Sequence, residues 1–289
     1  MESVIKYHTI QSEQRFDFNT IYYPTFEPDG NIVRVLLRGT SLGNILADRS
    51  GFNNDASIYG DPTLVESTFD PGIHTYGTKS TAMSLNRATS TTANQEYLQI
   101  ADNTGTQITG LTTGFSIFIR FQVRDITDQN GLSRTLFEKI DDSTPNNGYM
   151  LQVKDTGKLV FIVKKAGVTI AKETAAGLIT TSANSVYDVF LTFAVSGSVM
   201  HVYINGTDRT LTTFAGSVNF QSTLTNHDLF LFFRGKGSTG GFVDGNLFDF
   251  KYYREKVVTS TEVTNHWNNK LTISPTAFGH CMITNYWAT

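Results

Sequence analysis

The amino-acid sequence predicts an all-β sandwich, and three observations carry that prediction. The first is composition: 12% of the 289 residues are aromatic, with 21 Phe and 12 Tyr and six Pro. Set among many Thr, Ser, Asn and Gly, this mixture favours pleated strands and tight turns over helices. The second is punctuation. From about residue 30 onward, short apolar runs alternate with turn signals at sandwich spacing. The third is period: Phe115, Ile117, Ile119, Phe121 and Val123 alternate with Ser116, Arg120 and Gln122, as a strand with one buried face requires.

In chain order, Ile32 to Leu37 is the first convincing strand. In the strand that begins near Phe115, Phe118 breaks the alternation, which predicts that this strand is covered on both sides. The runs 149–153 and 158–163 flank Asp155-Thr156-Gly157, whose glycine can take the positive φ of a tight hairpin. The runs 187–195 and 198–204 follow, and the second leads into Asn205-Gly206, the strongest hairpin-turn signal in the chain. The runs 229–233 and 246–253 complete the series. One helix is expected, because Thr259-Ser-Thr-Glu262 forms a capping box and Val263 and Trp267 share one face. The domain is read as 32–271, between an N-terminal flank of 1–31, taken as a docking segment or extra strand, and an aromatic C-terminal flank of 272–289.

Charge and length exclude several classes of function. A net charge of −3 and a pI near 6.1 argue against nucleic acid, whose phosphates demand a concentrated excess of Lys and Arg. Apolar stretches such as Leu159 to Val163 fall far short of the roughly 20 residues that span a bilayer, so no membrane insertion is expected. The first ten residues lack the basic and apolar regions of a secretory signal, and a single Cys281 permits no intramolecular disulfide. Both features suit synthesis in a cytoplasm followed by assembly into a virion, and the expected location is a virion or extracellular surface.

Four segments, in order, resemble the laminin-G-like group of the concanavalin A-like lectin/glucanase superfamily over about residues 32–270. They are Leu46 to Asn54 with Gly60-Asp61-Pro62, Thr113 to Ile119, Met200-His-Val-Tyr-Ile-Asn-Gly206, and Gly245 to Arg254 trailed by Thr259 to Glu262. At the second segment Arg120 and Phe121 stand where the group usually has a Trp. The resemblance implies an antiparallel jelly roll that binds glycans, proteins or cell surfaces, frequently with a structural calcium ion. It also raises the superfamily's polysaccharide hydrolases.

The expected calcium ligands are Asp249, with Asp48, Gly51 and Asn53 of the opening loop. Ca²⁺ takes six to eight oxygens, and glycine allows close backbone approach. The ordinary alternative is that Asp48 or Asn53 caps a turn. Phe248, Phe250 and Tyr252 are expected to share one strand face, leaving Asp249 on the other, where the resemblance implies an acidic ligand facing the Asp48–Asn54 loop. Sugars are held by aromatic faces and a few fixed polar groups, which nominates Arg120, Tyr149, His201, Tyr203 and Arg234 as ligand-binding residues.

Catalytic motifs carry less weight. Gly39 to Gly43 satisfies G-x-S-x-G and Gly235 to Gly240 satisfies G-x-G-x-x-G, but neither stands between a strand and a helix as its chemistry requires. The superfamily's hydrolases carry an E-x-D-x-x-E strand, which this chain lacks, and Glu138 to Asp142 is read as a polar loop. The histidines show no metal-ligand spacing. The leading reading is therefore a non-catalytic module for a glycan or surface protein ligand, with virion or self-assembly partners at the termini. A purely structural virion decoration or fibre subunit comes second, and a polysaccharide hydrolase or lyase third.

Overall fold

The computed structural model describes residues 33–37, 46, 48, 52–67, 80–85, 96–127, 134–141, 147–182, 185–216, 228–232 and 241–272. Their sixteen strands form two antiparallel eight-stranded sheets. In chain order the strands are β1 Val33–Leu37, β2 Ala56–Tyr59, β3 Thr63–Ser67, β4 Ser80–Leu85, β5 Tyr97–Ile100 and β6 Gly114–Asp125. They continue with β7 Arg134–Asp141, β8 Asn147–Val153, β9 Leu159–Lys165, β10 Val168–Glu173 and β11 Tyr187–Ala194. The last five are β12 Val199–Ile204, β13 Thr207–Arg209, β14 Thr212–Thr213, β15 Leu229–Leu231 and β16 Asp244–Arg254, followed by helix α1, Ser260–Thr272.

Sheet A runs β13-β12-β11-β6-β16-β4-β3, with β1 also on β16. Sheet B runs β14-β10-β9-β8-β7-β15-β5-β2. Period-two alternation turns one face of each sheet inward. Phe115, Ile117, Ile119 and Phe121 of β6 meet Tyr149, Leu151, Phe161 and Val163 of sheet B in a single inter-sheet core. Its centre is aromatic, with Phe115 and Tyr252 stacked at 5.8 Å and Tyr149 and Tyr252 at 5.6 Å.

The predicted turns form for the expected reason. Gly157 has φ +71 and its N–H donates to the Lys154 carbonyl at 2.9 Å. Asn205 and Gly206 take φ +51 and +78, the pair of left-handed residues that closes a two-residue hairpin between β12 and β13. The capping box also forms: Thr259 N–H donates to Glu262 Oε2 at 2.7 Å, and Glu262 N–H donates back to Thr259 Oγ1 at 3.3 Å.

Phe118 is covered on the outer side of sheet A, as its place in the alternation required. It packs with Phe190, Tyr203, Tyr253, Val258 and Val263 beneath α1.

Two local expectations are corrected. Phe248 does not share a face with Phe250 and Tyr252. A register shift between Leu247 and Asp249 turns it outward to Ala82 and Val186, while Phe250 and Tyr252 enter the core. The shift falls where β16 changes its partner from β4, at Gly245–Leu247, to β1, at Phe250–Tyr253. The residues Glu138 to Asp141, read as a polar loop, belong to β7, which lies between β8 and β15. Their charges look unsuited to an inner strand, yet Glu138 and Lys139 are buried, and Lys139 Nζ lies 2.5 Å from Asp102 Oδ1.

The flanks 1–31 and 273–289, the G-x-S-x-G and G-x-G-x-x-G motifs, and Gly51, Arg234 and Cys281 lie outside the described residues. Among the described residues, no helix is long and apolar enough to cross a membrane.

Candidate functional site

Four of the residues nominated from sequence lie on the outer face of sheet A. Strands β6 and β11 put Arg120 opposite Asp188, and β16 puts Asp249 on the other side of Arg120. Arg120 Nε lies 3.4 Å from Asp188 Oδ1, with both side chains 3% exposed. His266 of α1 brings Nε2 to 3.9 Å from Asp188 Oδ2, and its ring meets Phe118 and Phe190 edge-on at 5.2 Å. Lys251 Nζ sits 5.7 Å above the Phe118 ring. Helix α1 thus seals a charged cluster away from solvent. Desolvation offsets most of the Coulomb attraction in such a cluster, whose effect is to fix geometry.

Tyr203 is buried at the rim of this face and stacks on His201, with ring centroids 6.0 Å apart. Burial first, then Asp208, raises the Tyr203 phenol above its ordinary value. His201, half exposed, reaches Asp208 Oδ2 with Nδ1 at 3.2 Å. Tyr149 is elsewhere. It lies in the inter-sheet core, donates its hydroxyl to the Thr106 carbonyl at 3.0 Å, and has no exposed surface to offer a sugar. Burial, with Tyr252 and Asp102 adding to it, holds its phenol well above the ordinary value.

The opening loop supplies ligands to itself. Asp48 Oδ2 accepts the Asn54 N–H at 2.9 Å, and the Asp48 N–H donates to Asp55 Oδ1 at 2.6 Å. Asn53 is exposed with φ +55. Among the described residues no three His, Cys, Asp or Glu gather as a metal site would need.

Several carboxylates among the described residues are held by cations and amides. Glu173 receives Lys158 Nζ at 2.8 Å and Lys154 Nζ at 3.1 Å, and the Lys158 hydrogen bond is the leading cause of its lowered pKa. Asp244 holds Arg124, and Glu262 holds Lys256 at 2.5 Å. Glu255, at φ +55, accepts the Thr112 and Thr113 N–H groups at 3.0 and 2.8 Å, clamping the loop before β6 to the end of β16. Burial pushes its pKa up, but the backbone donors from Thr113, Thr112 and Gly114 outweigh it and leave it low.

A small hollow lined by Gln107, Ile108, Lys139, Asn147, Gly148 and Tyr149 has a volume of about 10 Å³, room for about one water and far less than a small-molecule pocket.

The outer face of sheet B carries a feature that no sequence motif announced. Strands β2 and β5 pair so that Tyr59 stands directly across from Tyr97. The rings stack at 4.5 Å with 4° between their planes. Tyr97 continues to Phe230 at 6.2 Å and Phe242 at 6.3 Å, both buried. Tyr59 is 41% exposed. The next pair on this face of the two strands is Ser57 and Gln99, and the Gln99 carboxamide donates to Asp228, which also accepts the Asp102 N–H at 2.7 Å. Burial, then Tyr59, pushes the Tyr97 phenol up to about 12, so it stays protonated at neutral pH. The period of Ala56-Ser-Ile-Tyr59 and Tyr97-Leu-Gln-Ile100 was the available signal, but two four-residue runs far apart in sequence do not announce their pairing.

Two antiparallel sheets packed face to face, with one outer face closed by a C-terminal helix and the other bearing exposed aromatics, define a lectin-like β-sandwich scaffold. The chain belongs to the laminin-G-like members of the concanavalin A-like lectin/glucanases superfamily, whose family model matches residues 92–264. Among curated proteins, none matches the sequence.

Solved structures share the fold at low identity. The binding domain of Paraclostridial Mosquitocidal Protein 1 has a TM-score of 0.56 at 17% identity, covering 83% of this chain and 52% of that one. A botulinum neurotoxin type C structure, described as entering cells through two ganglioside molecules, gives 0.57 at 15% identity, with 83% and 52% covered. The binding domain of botulinum neurotoxin DC in complex with rat synaptotagmin II gives 0.56 at 16% identity, with 83% and 52% covered. The chain spans about half the length of these structures.

Proposed function

We propose that this chain is a non-catalytic recognition module for a glycan or a surface protein. The observation that carries the reading is how the sandwich uses its carboxylates. A glycosidase needs two of them facing each other across a cleft, about 5–5.5 Å apart for retention or roughly 6.5–9.5 Å for inversion. Here Asp188, Asp102, Glu173, Asp244 and Glu262 each hold a cation, and Glu255 holds backbone amides. Those are structural uses of charge.

Membership in a lectin-like family supports the reading, as do the neighbours, whose scaffold is described with gangliosides in one case and a synaptotagmin in another. The fold itself is silent on chemistry, so the reading rests on the site and on experiment. The test is binding of the labelled chain to a glycan array and to cultured cells, before and after glycosidase treatment, beside a reducing-end release assay on the same glycans. Saturable binding without release is the expected result. Sugar release abolished by one carboxylate substitution would overturn it.

A further inference from the structure

We propose that the free face of Tyr59, backed by Tyr97, is the stacking platform for one neutral sugar ring. This deepens the reading above and rests on it. Tyr97 covers one face of the Tyr59 ring at 4.5 Å, so the exposed 41% of Tyr59 is its other face and its rim. Phe230 and Phe242 hold Tyr97 from behind and are themselves buried, which makes the platform rigid before any ligand arrives. A preformed aromatic surface binds without the ordering cost that a mobile side chain would add.

Size selects the class of ligand. An aromatic side chain presents roughly 150–250 Å², so the exposed part of Tyr59 amounts to about 60–100 Å². That matches the C–H face of a single sugar ring and is about a tenth of the roughly 800 Å² that each partner of a stable protein complex buries. A sugar ring also carries hydroxyls, and the adjoining Ser57–Gln99 pair, with Asp228 fixing the Gln99 carboxamide, supplies polar groups beside the aromatic face.

Charge narrows the class further. The sequences of β2, β5 and β15 are ASIY, YLQI and LFL, with no Lys or Arg. A carboxylated or phosphorylated ligand would find no counter-charge on these strands. A neutral hexose or pentose needs none.

The test is saturation-transfer NMR on the full chain with methyl β-D-galactopyranoside, methyl β-D-glucopyranoside and N-acetylneuraminic acid, repeated for Tyr59→Ala and Tyr59→Phe. The neutral glycosides are expected to receive saturation through their ring C–H protons. Tyr59→Ala is expected to weaken them about tenfold, and Tyr59→Phe to stay within about threefold of wild type, since the ring face and not the hydroxyl carries the contact. Unchanged affinity in Tyr59→Ala would place the sugar elsewhere and overturn the platform while leaving the module reading intact. Preference for N-acetylneuraminic acid would overturn the neutral class. Silence from all three sugars would sink the proposal, and the array and cell assays would then decide the broader reading separately. Matching circular dichroism and melting curves establish that the variants are folded.

Discussion

The two outer faces of the sandwich use the same strand grammar to opposite ends. Sheet A turns Arg120, Asp188, Asp249 and Lys251 outward, yet all four are buried, with His266 of α1 beside Asp188. Sheet B turns Tyr59 and Tyr97 outward and leaves Tyr59 41% exposed. Charge on a strand is commonly taken for surface and aromatic rings for core, yet Arg120 and Asp188 are buried on sheet A and Tyr59 is exposed on sheet B. What decides exposure is what the next element covers. A face hidden by a helix can carry charge only if the charge is paired, and an open face can carry rings only if a neighbour supports them.

The sharpest way to break this contrast is Arg120→Ala. Removing Arg120 takes from Asp188 its partner in a buried ion pair and is expected to destabilise the fold by about 3–5 kcal/mol, read from urea unfolding. The double variant Arg120→Met/Asp188→Leu should recover most of that loss. A small effect of Arg120→Ala would mean that α1 does not seal the face.

Gly206→Ala tests the lid itself. The added Cβ would lie 2.6 Å from Trp267 Cγ at a residue whose φ is +78, so turn and helix must part. The expected cost is about 1–3 kcal/mol, visible in the thermal midpoint. Thr259→Ala removes the cap of α1 and should cost about 1 kcal/mol.

The same helix end should be sensitive to acid. Burial raises the Glu262 pKa, but Lys256 and Thr259 outweigh it and leave it below 4.5. Glu255 is lowered likewise. A carboxylate whose folded pKa is depressed contributes stability above its unfolded value and loses it as pH falls through the folded one. A pH series of melts should therefore show stability lost below about 4.5, less steeply in Glu255→Gln. On the open face Tyr59→Ala loses a cross-strand aromatic stack and should cost about 0.2–1 kcal/mol, while its sugar binding falls.

The sandwich was legible where alternation ran long, as in β6, β8, β9, β11 and β12, and where turn chemistry was explicit at Gly157 and Asn205-Gly206. It was illegible at β7, where Glu138 to Asp142 reads locally as a polar loop although Glu138 and Lys139 are buried. The same difficulty recurred at the site. Arg120, Tyr203 and Asp249 were named from their strands, but whether a strand residue faces solvent, core or helix depends on its tertiary neighbours. Tyr149 fell on the inward parity. Tyr59 and Tyr97 escaped notice because their partnership exists only once β2 and β5 are side by side.

Strand β16 carries a consequence for how the protein is made. It lies between β6 on one side and β4 and β1 on the other, so it joins the two halves of sheet A, yet among the described residues it is the last strand. During synthesis β13-β12-β11-β6 and β3-β4 can each pair early, but the sheet stays in two pieces with open edges until residue 254 has left the ribosome. Pairings of such sequence separation are slow to close and expose unpaired edges meanwhile. Truncation before β16 should therefore yield an aggregating chain instead of a smaller domain.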